Sequence, residues 1–470
     1  MKKTFLLSCL MLAAMPVMAA YTGHVYVDKN KNGVFDQSEK PLAGIKVSDG
    51  LNVVETAADG SFTLPGHERE RFIFITTPSG YKTFNRHYHK IEKKQSGYDF
   101  GLIPYSGRIR KDGSHRYIHI TDTEIFNTEN HADWVNNVHD YARNEQAAFI
   151  IHTGDLCYEK GLKAHIKLMN TENMDCPVFY CIGNHDLVKG KYGEELFESI
   201  YGPVYYSFDA GNVHYVVTPM PGGDHAPGYT SDDVCRWLKN DLAHIRPGTP
   251  VVVFNHDLLT YEDTFIFKSK NAGSINLNEY NLKAWVYGHW HINYMKKQGD
   301  VYSVCTSSLD KGGIDHSTTA FRVMHVDSKG DFTSELRYTY LDKNICIASP
   351  AGVMASGVLP VAVNVYSSVS PVREVLYTCL ADGKPVLKNK RLLQSTDWSW
   401  NGELPLSHKY VGKELTLRVT ARFNNGEIAE AESNFICRTE KAVPLFSADW
   451  DNLSGNAKHS APVSAPLNLP

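Results

Sequence analysis

Beyond its N-terminus, the 470-residue sequence has no long apolar run, and it contains no C-x-x-C pair, no internal repeat and no excess of one charge. The lack of a second apolar run excludes a polytopic membrane protein. With 48 Lys+Arg against 52 Asp+Glu, the net charge of −4 argues against a nucleic-acid coat protein. Hydrophobic residues at 42 % and charged residues at 21 % exclude global disorder and collagen-like repeats. The length allows two to four domains, and the 26 tyrosines suggest several β-rich parts.

The chain opens with Lys2 and Lys3, an apolar stretch from Phe5 to about Met15, and Val17-Met18-Ala19. This is the order of a signal peptide over residues 1–20, too short to span a bilayer. The expectation is an exported protein, periplasmic, secreted or held at the cell surface, with no membrane segment after cleavage. Eight cysteines follow Cys9, and sequence alone leaves their pairing open. Most are expected to be reduced and buried.

Residues 21–105 read as a small β domain of short strands split by Asn32-Gly33, Asp49-Gly50, Asp59-Gly60, Pro65-Gly66 and Ser79-Gly80 turns. From 113 to 345 short apolar strands alternate with helical stretches at 132–144, 192–200 and 231–245, a layered α/β texture. Residues 350–440 return to β, with Asp382-Gly383 and Asn425-Gly426 hairpin turns fitting an immunoglobulin-like sandwich. Residues 441–470 form a polar tail.

Five segments of the middle region place polar clusters at the carboxyl ends of expected strands. They are Thr121-Asp122-Thr123-Glu124, Gly154-Asp155, Gly183-Asn184-His185-Asp186, Asn255-His256-Asp257 and Gly288-His289-Trp290-His291. Open α/β folds build their sites at such ends, so segments spread over 170 residues can converge. Carboxylates, an amide and imidazoles in this mixture suit a pair of divalent cations sharing one bridging carboxylate.

In order and type these segments resemble the calcineurin-like metallophosphoesterases, over roughly residues 113–325. The resemblance implies a four-layer α/β-β/α sandwich flanked by two all-β sandwich domains, the first resembling transthyretin-like or B-type repeat modules. It implies hydrolysis of phosphoric esters, as a phosphatase or phosphodiesterase, by a metal-bound hydroxide at a dinuclear centre. One metal would take Asp122, Glu124, Asp155 and His291; the other would take Asp155, Asn184, His256 and His289. His185 would stabilise the phosphoryl oxygens or protonate the leaving group, with Asp186 or another carboxylate orienting its ring. Glu124 stands where the family usually has His or Gln, which favours manganese or iron over zinc. Tyr158 and Glu159 depart from the protein-phosphatase pattern, disfavouring a Ser/Thr protein phosphatase.

Three softer signals accompany the set. Asp28, Asn30, Asn32, Val34, Asp36 and Glu39 occupy positions 1, 3, 5, 7, 9 and 12 of an EF-hand-type calcium loop, with Gly33 at 6. Its calcium would be structural. Lys311-Gly312-Gly313-Ile314-Asp315-His316 could edge the substrate site or be a plain turn. Residues 67–94 interleave Arg69, Arg71, Lys82, Arg86, Lys90, Lys93 and Lys94 with aromatics, the look of a single-strand nucleic-acid surface. Two other readings therefore stay open: a non-catalytic exported binding or adhesion protein, and a nuclease.

Overall fold

In the computed structural model residues 20–95, 97–341 and 343–439 are described; the expected tail and all but Ala20 of the expected signal peptide lie outside them. The chain divides into two compact units between Tyr340 and Leu341. No helix among the described residues is long and apolar enough to cross a membrane.

The first unit opens with a β module of two small sheets. Tyr21–Val27 pairs with Lys40–Pro41, Ser61–Leu64 and Phe100–Pro104, and Lys46–Ser48 pairs with Val53–Glu55 and Phe72–Ile75. Phe72–Ile75 is buried at every position. Strand alternation sends Ile73 and Ile75 into the module's own core, while Phe72 and Phe74 join the central core beside Trp237. The texture change near residue 105 thus lies inside one unit.

The central region has two sheets. β1 (His115–Ile120), β2 (Phe149–His152) and β3 (Val178–Tyr180) run parallel. β4 (Tyr206–Ala210), β5 (Val213–Val217), β6 (Val251–Phe254), β7 (Leu282–Tyr287), β8 (Tyr294–Gln298) and β9 (Val301–Cys305) supply the second sheet. β10 (Ala320–Val326) and β11 (Phe332–Tyr338) add antiparallel strands to the first, giving the order β3-β2-β1-β10-β11. The second sheet runs β4-β5-β6-β7-β9-β8. Tyr117 and Phe149 of the first sheet pack with Phe208, Tyr215 and Phe254 of the second in one core.

Helices cover the remaining surfaces by amphipathic spacing. α1 (Ala132–Asn144) buries Trp134, Val138, Tyr141 and Ala142, one stripe at helical period, against Ile118, Ile150 and Val323. α2 (Tyr158–Leu168) follows the second motif, and α3 (Glu195–Tyr201) follows the third. α4 (Ser231–Ala243) starts at a capping box: Asp233 N–H donates to Thr230 Oγ1 at 3.3 Å and Thr230 N–H donates to Asp233 Oδ2 at 2.9 Å.

The second unit has two sheets of its own, one of four strands and one of five, with a shared core that includes Val363, Val375, Trp400, Leu417 and Phe435. The eight cysteines of the described residues are free thiols, seven of them buried.

Candidate metal centre

All five motif segments follow strands of the central sheets. Residues 121–124 leave β1, 153–155 leave β2, 183–186 follow β3, 255–257 leave β6 and 288–291 leave β7. The loops are stitched together by backbone bonds: Asp122 N–H to Gly154 O at 3.0 Å, Glu124 N–H to Asp155 O at 3.2 Å and Gly288 N–H to His256 O at 3.0 Å. Asp122, Glu124, Asp155, His289 and His291 all have left-handed backbone, with φ between 46° and 65°. Non-glycine residues rarely adopt it, and each instance costs on the order of 1 kcal/mol or more. Five such residues in one set of loops mark a spot where side-chain direction outweighs local backbone preference.

Six of the seven side chains expected as ligands, Asp122, Glu124, Asp155, His256, His289 and His291, are brought together around Asp155 and Asp122, both buried; the seventh, Asn184, lies in the loop after β3. Ligand atoms of Asp155, His256 and His289 lie within 4.8 Å of one another, as do those of Glu124, Asp155 and Cys157. His291 Nε2 is 3.3 Å from Asp122 Oδ1 and 3.4 Å from Glu124 Oε1. His256 Nε2 is 3.2 Å from Asp155 Oδ2 and 3.9 Å from Asp122 Oδ1. Its other nitrogen, Nδ1, lies 2.7 Å from the Thr153 carbonyl, which fixes the ring with Nε2 toward the carboxylates.

The residues fit a cation pair. His256 Nε2, close to Asp155 but without hydrogen-bond geometry to it, and Asn184 Oδ1 are both buried and have no hydrogen-bond partner. Buried polar atoms are normally satisfied, so two orphans among the expected ligands, one of them facing Asp155 and Asp122, match metal-ligand positions. Burial alone would lower His256, but the nearby negative charges of Asp155 and Asp122 override that and raise the imidazole to about 10. A divalent cation would compete with that proton.

Two glycines allow the close approach. A Cβ on Gly288 would overlap Thr121 Oγ1 and sit 2.5 Å from Asp122 Oδ2. A Cβ on Gly183 would collide with the Asp155 carboxylate.

Asp186 requires a correction. It does not orient His185: Oδ2 accepts the N–H groups of Asp155 and Gly183, each at 2.9 Å, and Oδ1 accepts that of Cys157 at 3.0 Å. A fully buried carboxylate with three donors shapes the loops that carry Asp155 and Asn184. The His185 ring is held instead by Asp224, with Nδ1 2.8 Å from Oδ2. Asp224 and Cys157 escaped the sequence reading, because neither carries a spacing that ties it to the motifs. His119 and His152, expected beneath the site, are fully buried.

Other expected surfaces resolve differently. Arg71 Nη2 lies 2.8 Å from both Glu194 and Glu198, Arg69 pairs with Asp233, and Phe72, Phe74 and Tyr88 are core. Arg71 and these rings are thus spent inside the unit, whereas Arg86, Lys90, Lys93 and Lys94 of the same run stay exposed. Loop 311–316 does edge the centre: Lys311 Nζ contacts Glu124, and Ile314 N–H donates to His291 O at 2.9 Å. In the N-terminal loop Asp28 and Glu39 are buried, Gly33 N–H donates to Asp28 Oδ2 at 2.9 Å, and Asn30 Nδ2 donates to Asp36 Oδ2 at 2.7 Å. Asn32 Oδ1 accepts from Val34 N–H at 2.8 Å, and the Tyr26 hydroxyl beneath the loop is buried without a partner.

This geometry defines a metal-binding α/β protein with its centre at strand ends. Comparison then supplies the family. Residues 115–293 match the family model for calcineurin-like phosphoesterases, and residues 29–104 match the model for the N terminal of calcineurin-like phosphoesterase. The chain belongs to the calcineurin-like phosphoesterase family. Purple acid phosphatase 13 of Arabidopsis thaliana is 26 % identical over an alignment of 215 residues that covers 43 % of this chain. The match spans 36 % of that relative's own length. Among solved structures, an archaeal phosphodiesterase (13 % identity, TM-score 0.25) covers 47 % of this chain and 99 % of its own. Vps29 of Entamoeba histolytica, complexed with zinc (10 %, TM-score 0.25), covers 48 % and 99 %.

Proposed function

We propose that the chain is a metal-dependent phosphoric ester hydrolase with two divalent cations at this centre, manganese or iron favoured by the oxygen-rich set around Glu124. The observation that carries the reading is the buried, unpartnered His256 Nε2, 3.2 Å from Asp155 Oδ2, with Asn184 Oδ1 a second buried and unpartnered atom among the expected ligands. Asp122, Glu124, Asp155 and His291 would hold one cation; Asp155, Asn184, His256 and His289 the other. Such cations supply Lewis acidity toward phosphoryl oxygens and acidify a water.

The protein's own groups set the geometry. Thr121 Oγ1 donates to Asp122 Oδ2 at 2.7 Å, and His289 N–H donates to the same oxygen at 3.0 Å, fixing that carboxylate. Asp186 fixes the backbone under Asp155. Burial opposes protonation of His185, but the Asp224 hydrogen bond and the nearby Asp155 charge raise it. A protonated His185 suits a donor to the leaving oxygen, and Asp224 keeps its ring in place.

The same reading gives the central region a four-layer α/β-β/α sandwich, the flanks β-sandwiches (the last immunoglobulin-like), and an exported location resting on the N-terminal apolar stretch. It also gives loop 28–39 a structural calcium, supported by its ordered oxygen side chains. Chelated protein should lose hydrolysis of an aryl phosphate or bis-aryl phosphate and regain it with manganese. Asp155→Ala and His289→Ala should each lose at least 100-fold in kcat/KM while keeping their circular dichroism. Full activity in these folded variants would end the assignment.

A further inference from the structure

A shallow groove of about 510 Å³ lies against the centre, lined by His289 together with Asp257, Leu258, Tyr261, Trp290, Ile292 and Ile314. Its volume falls in the range of small-molecule sites, roughly 300–1,000 Å³. Only His289 of this lining belongs to the expected ligand set.

Two features set the groove apart from ordinary surface. Tyr261 and Ile314, each 75 % exposed, are the most exposed large hydrophobic residues among the described part of the first unit. Exposed apolar surface grouped beside a polar centre points to a ligand. The Tyr261 and Trp290 rings lie nearly parallel, 25° between planes and 5.8 Å between centroids. They offer a flat face, and Trp290 is fixed by its Nε1–H donating to Asp257 Oδ1 at 3.1 Å. Loop 311–316 brings Ile314 into the same lining, with its N–H bonded to His291 O.

Asp257 adds a polar mark. Oδ1 also accepts Leu258 N–H at 2.7 Å, whereas Oδ2 has no donor among the described residues. A carboxylate oxygen without a donor, beside an aromatic face, selects a ring carrying an N–H or O–H group.

We propose that this groove is the subsite for the organic group of the substrate, and that this group is a flat aromatic ring bearing a hydrogen-bond donor. The inference rests on the hydrolase reading for the chemistry but on the groove alone for the binding. Water adds to phosphorus, the ester P–O bond breaks, the leaving oxygen gains a proton and the water loses one; the ring decides only which ester is held there. An aryl group and a nucleobase share this chemistry.

Isothermal titration of the manganese-loaded full chain with methyl-, phenyl- and 4-aminophenylphosphonate tests binding without turnover. The expected order is 4-aminophenyl, then phenyl, at least tenfold tighter than methyl. Tyr261→Ala should bring the phenyl-to-methyl ratio to near one, and Asp257→Asn should remove the advantage of the amino group. A ratio near one in the unaltered protein, or a tenfold ratio surviving Tyr261→Ala in a variant of unchanged melting temperature, overturns the subsite. Phenyl phosphate and adenosine 5′-phosphate, run as substrates in parallel, assign the ring to an aryl ester or a nucleotide by the larger kcat/KM. No turnover of any ester with the binding order intact would sink the hydrolase reading and leave the subsite standing.

Discussion

Replacing Gly288 by alanine adds one methyl group at the tightest point of the centre. That Cβ would overlap Thr121 Oγ1 and stand 2.5 Å from Asp122 Oδ2, where real Cβ contacts need more than 3 Å. Neither neighbour can yield freely, because Thr121 Oγ1 is bonded to Asp122 and Asp122 accepts the His289 N–H. Overpacking of this kind costs roughly 1–3 kcal/mol. At about 2–4 °C per kcal/mol for a sizeable domain, the melting temperature should fall by roughly 2–12 °C. The functional loss should be larger than the stability loss, since a 1 Å shift of a positioning group costs about 100-fold in rate. The assay pairs calorimetry with manganese-dependent hydrolysis and manganese affinity. Gly107→Ala is the control, because a Cβ there meets nothing within 4 Å. If Gly288→Ala bound manganese and turned over substrate as the control does, the close approach of this loop to Asp122 would have no bearing on the centre.

Three further outcomes follow from separate parts of the molecule. Buried His214 sits between Asp209 at 2.7 Å and Asp241 at 2.8 Å; burial opposes its charge, but the two carboxylates raise it to about 9. A raised imidazole contributes stability that is fully present below the unfolded value near 6.5 and lost as pH climbs through about 9. The unfolding free energy from urea titrations should therefore fall between pH 7 and 9.5, by on the order of 3 kcal/mol, and His214→Phe should flatten this slope; equal slopes in the two proteins would contradict it. Asp224→Ala should lower kcat about tenfold with little change in KM or melting temperature, because it acts through the His185 ring alone; a pure KM effect would move Asp224 to substrate binding. Millimolar calcium should raise the melting temperature of the full chain by a few degrees, and Asp28→Ala should abolish the rise; an identical rise in both would remove loop 28–39 as the site.

The centre was legible because parallel strands end where their polar clusters begin. Thr121 to Glu124 and Gly288 to His291 lie far apart in sequence, yet β1 and β7 deliver both to one end of the two sheets. The helix over 132–144 was legible from the spacing of Trp134, Val138 and Tyr141. What tertiary contact decides was not. Asp224 reaches His185 from a Pro-Gly-Gly-Asp loop with no periodic signal, and Asp186 spends both oxygens on backbone N–H groups rather than on the neighbouring ring. In the run from Arg69 to Lys94, sequence alternation is blind to what covers each face; Glu194, Glu198 and Asp233 arrive from 120 to 165 residues away to pair Arg71 and Arg69, while Arg86, Lys90, Lys93 and Lys94 stay exposed. Helix α2 was missed where His165, polar by type, is buried.

The central claim is that two cations share Asp155. An anomalous-scattering map from crystals grown with manganese would show it most directly. The account predicts two peaks in contact with Asp155, one beside Asp122, Glu124 and His291, the other beside Asn184, His256 and His289. A single peak, or none among these side chains at saturating manganese, would contradict it.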